Sequence, residues 1–191
     1  STLRFLIPIF SLSGHPVHFQ GRNRLLQRPQ SVYEKIFQDQ HLFYAQNEQE
    51  IVLQGPLASC GYVVKGDISS QFISGLLFSL PLLPGDSRII VEPPFESASY
   101  VALTLQMLER FGVHVIFEDE NTLFITGGQH YMATDYTVEG DFSQGAFFAT
   151  LAAAKGNLQM MGLRHDSMQG DKEILSILQK AGAKIAAIEN G

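Results

Sequence analysis

The stretch Val63-Val64-Lys65-Gly66-Asp67-Ile68-Ser69-Ser70-Gln71-Phe72-Ile73-Ser74-Gly75-Leu76-Leu77 decides the fold. A β-branched pair runs into Gly66-Asp67, and two serines then open an apolar run. Phe72, Ile73, Leu76, Leu77 and Leu80 recur at the spacing of one helix face. The serines fall where a helix leaves backbone N–H groups unpaired. Two readings are open there. Ser69 and Ser70 are capping residues, or the helix start is an anion site in which two hydroxyls and the Gln71 amide add to the backbone donors.

The layout returns in Val138-Glu139-Gly140-Asp141-Phe142-Ser143-Gln144-Gly145-Ala146-Phe147-Phe148: strand end, Gly-Asp, an apolar residue, Ser, apolar helix. The order of elements beyond each copy also repeats. A strand is expected at Arg88 to Val91 and at Leu158 to Met161, and a polar loop then carries Ser97 or Ser167. A second amphipathic helix comes next (Val101 to Phe111; Glu173 to Ala181), and a glycine precedes a short strand (Gly112-Val113; Gly182-Ala183). Val113 to Phe117 and Thr122 to Ile125 read as a hairpin, and Tyr136 to Val138 as the strand entering the second copy. An earlier copy starts at Ser1-Thr2-Leu3-Arg4-Phe5-Leu6 without its first strand. The chain is therefore built from duplicated β-α-β-α-β-β units, an α/β (α+β) architecture.

In the first copy, Arg4 lies in the first turn of a helix, where a cation opposes the helix dipole. It is either exposed by accident or directed at an anion. Pro8 sits inside that helix and should kink it or leave a carbonyl unpaired. Arg22, Arg24 and Arg28 make a basic cluster in an acidic chain. Arg22 and Arg24 read as solvated charge. Arg28 differs, because Pro29 holds its backbone out of the helical region just before a helix at Ser31 to Gln38. That placement suits a guanidinium clamp on a carboxylate or phosphate. Ser97 reads most simply as an N-cap and Tyr100 as a core aromatic with a wet hydroxyl.

The 191 residues suffice for one large domain or parts of two. A net charge of −6 leaves no overall footprint for nucleic acid. No apolar run approaches the roughly 20 residues of a membrane span. The single Cys60 excludes an internal disulfide and fits a reducing, cytoplasmic compartment. It sits in a loop with no flanking His to activate a nucleophile. The six His residues form no ligand set, so no metal site is expected, and neither a P-loop nor a GxGxxG fingerprint occurs. The sequence opens without Met, directly in a helix, and closes after a short strand at Ile188-Glu189-Asn190-Gly191; the expectation is a piece of a longer chain.

Gln27-Arg28-Pro29, Gly66-Asp67-Ile68-Ser69-Ser70-Gln71-Phe72, Ser97-Ala98-Ser99-Tyr100 and Val138-Glu139-Gly140-Asp141 with Ser143 stand in the order and spacing of the 5-enolpyruvylshikimate-3-phosphate synthases. Ser167-Met168-Gln169-Gly170-Asp171 and Leu178 to Ala183 carry the resemblance to the end of the chain. The resemblance implies the enolpyruvyl transferase fold: two domains of three βαβαββ units, helices packed inside and sheets outside, in a monomer roughly twice this length. It divides this chain into residues 1–138 of the shikimate-binding domain, a hinge at 139–142, and a partial unit of the other domain over 142–191. It implies transfer of the enolpyruvyl group of phosphoenolpyruvate to the 5-hydroxyl of shikimate 3-phosphate, without a cofactor.

The resemblance also implies site roles. Ser69, Ser70, Gln71, Ser97 and Tyr100 would contact shikimate 3-phosphate. Arg28, Gln71, Ser1 and Thr2 would contact phosphoenolpyruvate, with Arg4 and Asp141 in support. The family's N-terminal Lys-Ser segment, Asp base, neighbouring Glu and C-terminal Arg and Lys match nothing here, so no catalytic residue is assigned, and an inactive chain with exposed, self-associating sheet edges is expected. Two departures stand out: Ala102, where the family often has an acid, and Gln144, where many members have Ser. The UDP-N-acetylglucosamine enolpyruvyl transferases resemble the same fold but carry a reactive loop cysteine, for which Cys60 lacks the context. A non-catalytic binding module of the same fold is the third reading.

Overall fold

A computed structural model of the chain describes residues 2–96 and 98–188. It divides into two compact units, Ser1–Ala133 and Thr134–Gly191.

The first unit holds two sheets. In one, β1 (Pro16–Gln20), β3 (Glu50–Gln54) and β2 (Phe43–Gln46) are antiparallel in that spatial order. In the other the order is β4 (Gly61–Lys65), β5 (Ser87–Glu92), β7 (Thr122–Ile125), β6 (Val115–Asp119). The β4/β5 pair is parallel and the β5/β7 and β6/β7 pairs antiparallel. The parallel pair needs a crossover, and α3 (Gln71–Ser79) supplies it; α4 (Ala98–Arg110) connects β5 to β6. The run β4-α3-β5-α4-β6-β7 is one complete expected unit. α1 (Thr2–Ser11), β1, α2 (Ser31–Asp39), β2 and β3 form another copy of the repeat, without its first strand, within the same compact unit.

Burial alternates residue by residue along β4 and β5, so this sheet turns one face inward and one to solvent. The buried face packs on α3, whose Phe72, Ile73, Ser74, Gly75, Leu76, Leu77 and Ser79 are all buried. A helix apolar on all sides belongs in the centre, and α3 has Ile7 of α1, Phe37 of α2, Ile89 and Val91 of β5 and Val101 of α4 in the same core.

α1 continues through Pro8 to Ser11, and Pro8 is buried. Proline has no N–H, so the Arg4 carbonyl one turn earlier loses its helical partner. That carbonyl instead accepts a 2.5 Å hydrogen bond from the Tyr33 hydroxyl of α2. The same hydroxyl lies 3.4 Å from the Phe72 carbonyl. Gly75 makes the approach possible: a Cβ there would stand 2.3 Å from the Tyr33 hydroxyl and 2.6 Å from the Arg4 carbonyl oxygen. Three helices thus meet at one orphaned carbonyl.

The second unit contains α5 (Phe142–Lys155) and α6 (Glu173–Lys180), with Phe142, Ala149 and Leu178 buried. The strands expected at Tyr136 to Val138, Leu158 to Met161 and Ala183 are not strands; these stretches are irregular. A strand exists only with a laddered partner, and among the described residues a single rung forms where the complete repeat has a ladder. Gly140 N–H donates to the Gly162 carbonyl at 2.7 Å, the counterpart of Gly66 N–H to the Glu92 carbonyl at 2.8 Å.

Removing the Tyr33 hydroxyl (Tyr33→Phe) strands a buried carbonyl and should cost about 1–3 kcal/mol in urea unfolding. In a Pro8→Ala background position 8 regains its N–H, and the cost should fall below about 1 kcal/mol. An equal cost in both backgrounds would refute the role assigned to Pro8.

Candidate functional site

β4 and β5 run parallel, so the helices after them, α3 and α4, both begin at the carboxyl ends of their strands. Such an edge is where open α/β sheets take ligands. Ser69, Ser70 and Gln71 lie at the start of α3, and Tyr100 lies, half exposed, in the first turn of α4. The two helices are tied below their starts by Ser74 Oγ and Thr104 Oγ1, 2.7 Å apart; Thr104 Oγ1 also donates to the Tyr100 carbonyl.

The capping reading of the serines holds only in part. Ser69 Oγ accepts a long 3.4 Å bond from the Gln71 N–H, whereas Ser70, at the N-cap position, makes no side-chain cap bond. Its hydroxyl is not consumed by the helix.

Across from this helix start stands Arg4. Its Nη1 donates to Gln71 Oε1 and its Nη2 to the Pro29 carbonyl, both at 3.4 Å. Its guanidinium carbon lies 4.4 Å from the centroid of the Phe72 ring, a cation–π stack. Burial and then the charge of neighbouring Arg28 pull its pKa down, while Tyr33 acts the other way. Two cations, from α1 and from the loop before α2, thus share one neighbourhood. Of the two readings of Arg4, accidental exposure is set aside, since the side chain is half-buried and held.

Arg28 is exposed, with its carbonyl fixed by Gln46 Nε2 at 3.2 Å and by Gln30 Nε2 at 3.4 Å. Gln46 also donates to the Leu26 carbonyl at 2.6 Å. These bonds hold the Arg28-Pro29 turn immediately before α2. Tyr33, fully buried, has its phenol pKa raised well above the ordinary value by burial, so it stays a donor to Arg4. Thr2 is exposed at the first position of α1. Ser1 and Ser97 lie outside the described residues.

Asp141 belongs to the second unit, where it is the N-cap of α5. Its Oδ1 accepts from Ser143 N–H at 2.8 Å and from Ser143 Oγ at 2.7 Å. Gln169 clamps the same turn: Oε1 accepts from Phe142 N–H at 2.8 Å, and Nε2 donates to the Gly140 carbonyl at 2.9 Å. Ser167 Oγ donates to Glu139 Oε1 at 3.0 Å. Gln169, Tyr33 and Phe72 as a platform are not visible as site residues in the sequence; the carbonyl left unpaired by Pro8 is the one signal that points to Tyr33.

Cys60 is exposed on its loop, and its sulfur receives a weak 3.4 Å bond from Gln40 Nε2, which also donates to the Tyr62 hydroxyl at 3.1 Å. Among the described residues no group of three or more His, Cys, Asp or Glu is placed to hold a metal ion, and no helix is long and apolar enough to cross a membrane.

The Asp141 bonds to the Ser143 hydroxyl and N–H hold its carboxyl below the usual value. The unfolded value is near 3.9. A depressed folded pKa means the contribution is complete above about pH 4 and is lost as pH falls through the folded value. The excess helicity of the wild-type chain over Asp141→Ala, followed by circular dichroism, should therefore be constant from about pH 7 to about 5 and shrink below about 4.

The family model for EPSP synthase (3-phosphoshikimate 1-carboxyvinyltransferase) matches residues 1–191. The 3-phosphoshikimate 1-carboxyvinyltransferase of Clostridium beijerinckii is 44% identical over 193 residues, covering 100% of this chain and 44% of that protein. That of Brachyspira hyodysenteriae is 44% identical over 186 residues, 97% of this chain and 44% of the relative. The chain thus spans under half the length of these relatives. Among solved structures, an EPSP synthase from Acinetobacter baumannii superposes with a TM-score of 0.72 at 20% identity, over 95% of this chain and 40% of that one. This last likeness bears on fold alone.

Proposed function

The chain belongs to the EPSP synthase family, and from that premise we propose that it serves a transferase moving the enolpyruvyl group of phosphoenolpyruvate to the 5-hydroxyl of shikimate 3-phosphate, with release of phosphate, in chorismate biosynthesis. The observation that carries the reading is the meeting of Arg4, Gln71 and the charge of Arg28 at the start of α3. Both substrates are polyanions, and a helix start with added hydroxyls and guanidinium groups suits them.

In this reading Ser69 and Ser70 hold the 3-phosphate, with Ser97 and Tyr100 as further contacts. Arg28 clamps phosphoenolpyruvate, with Ser1 and Thr2 close by, and Gln71 lies between the two ligands. Preorganised donors of this kind bind anions and stabilise the charge of a departing phosphate. Asp141 acts through its cap, as support. Residues 139–142 serve as a hinge between domains. No residue of this chain is assigned as the base that deprotonates the 5-hydroxyl, and the setting is cytoplasmic. Its similar relatives are 3-phosphoshikimate 1-carboxyvinyltransferases, which gives no support to the UDP-N-acetylglucosamine reading.

Calorimetric titration of the chain with shikimate 3-phosphate tests this. Binding should be weak and salt-sensitive. Ser70→Ala should weaken it about three- to tenfold, the scale of one lost hydrogen bond, and UDP-N-acetylglucosamine should give no heat. The 191-residue chain alone should release no phosphate from the two substrates together. Equal affinity for both sugars, or indifference to Ser70→Ala, would count against the substrate assignment.

A further inference from the structure

We propose that Arg4 is a positioning residue that sets which end of the Gln71 side-chain amide faces the ligand, and that Phe72 and Tyr33 hold Arg4 for that task. The proposal rests on reading the start of α3 as an anion site.

A guanidinium has donors and no acceptor. Its contact with Gln71 must therefore be to the carbonyl oxygen, as found at 3.4 Å. The Gln71 NH2 group is then turned away from Arg4, and among the described residues no group accepts from it. The terminal torsion of glutamine is broad and roughly two-fold, so nothing intrinsic to Gln71 favours this orientation. An oxyanion needs donors. The opposite face of the amide would set a carbonyl oxygen against phosphate or carboxylate oxygens, which repel it. Arg4 thus converts an ambivalent side chain into a donor.

Arg4 is itself fixed at both ends. Its carbonyl is held by Tyr33 at 2.5 Å, because Pro8 cannot hold it. Its guanidinium is stacked 4.4 Å from the centroid of Phe72, a ring 1% exposed and so locked in the core. Tyr33 meets that ring edge to face, with centroids 5.0 Å apart and planes at 67°. The stack needs a flat cation: lysine in place of Arg4 would keep the charge and lose the plane.

The first experiment uses the free chain. 15N relaxation of the Gln71 side-chain amide, assigned through Gln71→Glu, should show an ordered group in wild type. It should become mobile in Arg4→Lys and Phe72→Leu at temperatures where backbone spectra remain native. An equally ordered amide in Arg4→Lys overturns the proposal. The second uses shikimate 3-phosphate and phosphoenolpyruvate as probes. Arg4→Met and Gln71→Leu should each weaken binding about tenfold, the scale of a charge-assisted hydrogen bond, and the double variant should be no weaker than either. Additive losses, near a hundredfold, would mean that Arg4 touches the anion itself and would sink the positioning role. Arg28→Ala separates the two claims: if it leaves both affinities unchanged, the anion-site reading fails, whatever Arg4 does.

Discussion

The hydrogen bond from the Tyr33 hydroxyl to the Arg4 carbonyl is the contact around which the first unit closes. It exists because of a deficit. Pro8 withdraws one N–H from α1, and a buried carbonyl left without a donor costs enough to constrain everything near it. The donor comes from α2. The space for it comes from a glycine in α3, since any larger residue at position 75 would collide with the hydroxyl and the carbonyl together. A side effect is that α1 is clamped against the start of α3, which brings a cation to a helix end that its own dipole would disfavour. The contact of Arg4 with Gln71 is a consequence of how the core satisfies its polar groups.

The two Gly-Asp motifs show how little of local structure a motif specifies. Both glycines donate to a carbonyl on a later segment, and both tolerate the close approach because no Cβ intervenes. Beyond that they diverge. Asp141 caps α5, which starts at the next residue, and Ser143 is absorbed into the cap. α3 starts only at Gln71, four residues after Asp67, and Ser70 is left without a cap bond. The delayed start is what leaves a serine hydroxyl uncommitted at a helix N-terminus. The same letters make a structural cap in one unit and a binding candidate in the other.

Secondary structure with local causes was legible. The helices around Phe72, Val101, Phe142 and Leu175 follow from periodic apolar residues, and the β6/β7 hairpin from two short runs about a polar turn. The strands of the second unit were not deliverable from sequence, since a strand is a relation between segments. The residues 158–161 have strand composition and no ladder. α5 correspondingly leaves Phe147 74% exposed and Phe148 and Leu151 more than half exposed. Apolar periodicity predicts that a face wants burial; it does not say what buries it.

By itself the sequence determined the repeated βαβαββ plan and the family, and it marked Arg28, Ser69, Ser70 and Gln71 as candidate residues for an anionic ligand. It did so because glycine, proline and apolar spacing act over a few residues, where chain connectivity enforces proximity. Only the tertiary structure decided that Arg4 meets Gln71, that Phe72 is its platform, that Tyr33 answers the proline and that Gln169 closes the turn before α5. These pairs are separated by tens of residues in the chain, and their contacts are set by which core groups must be paired when water is excluded.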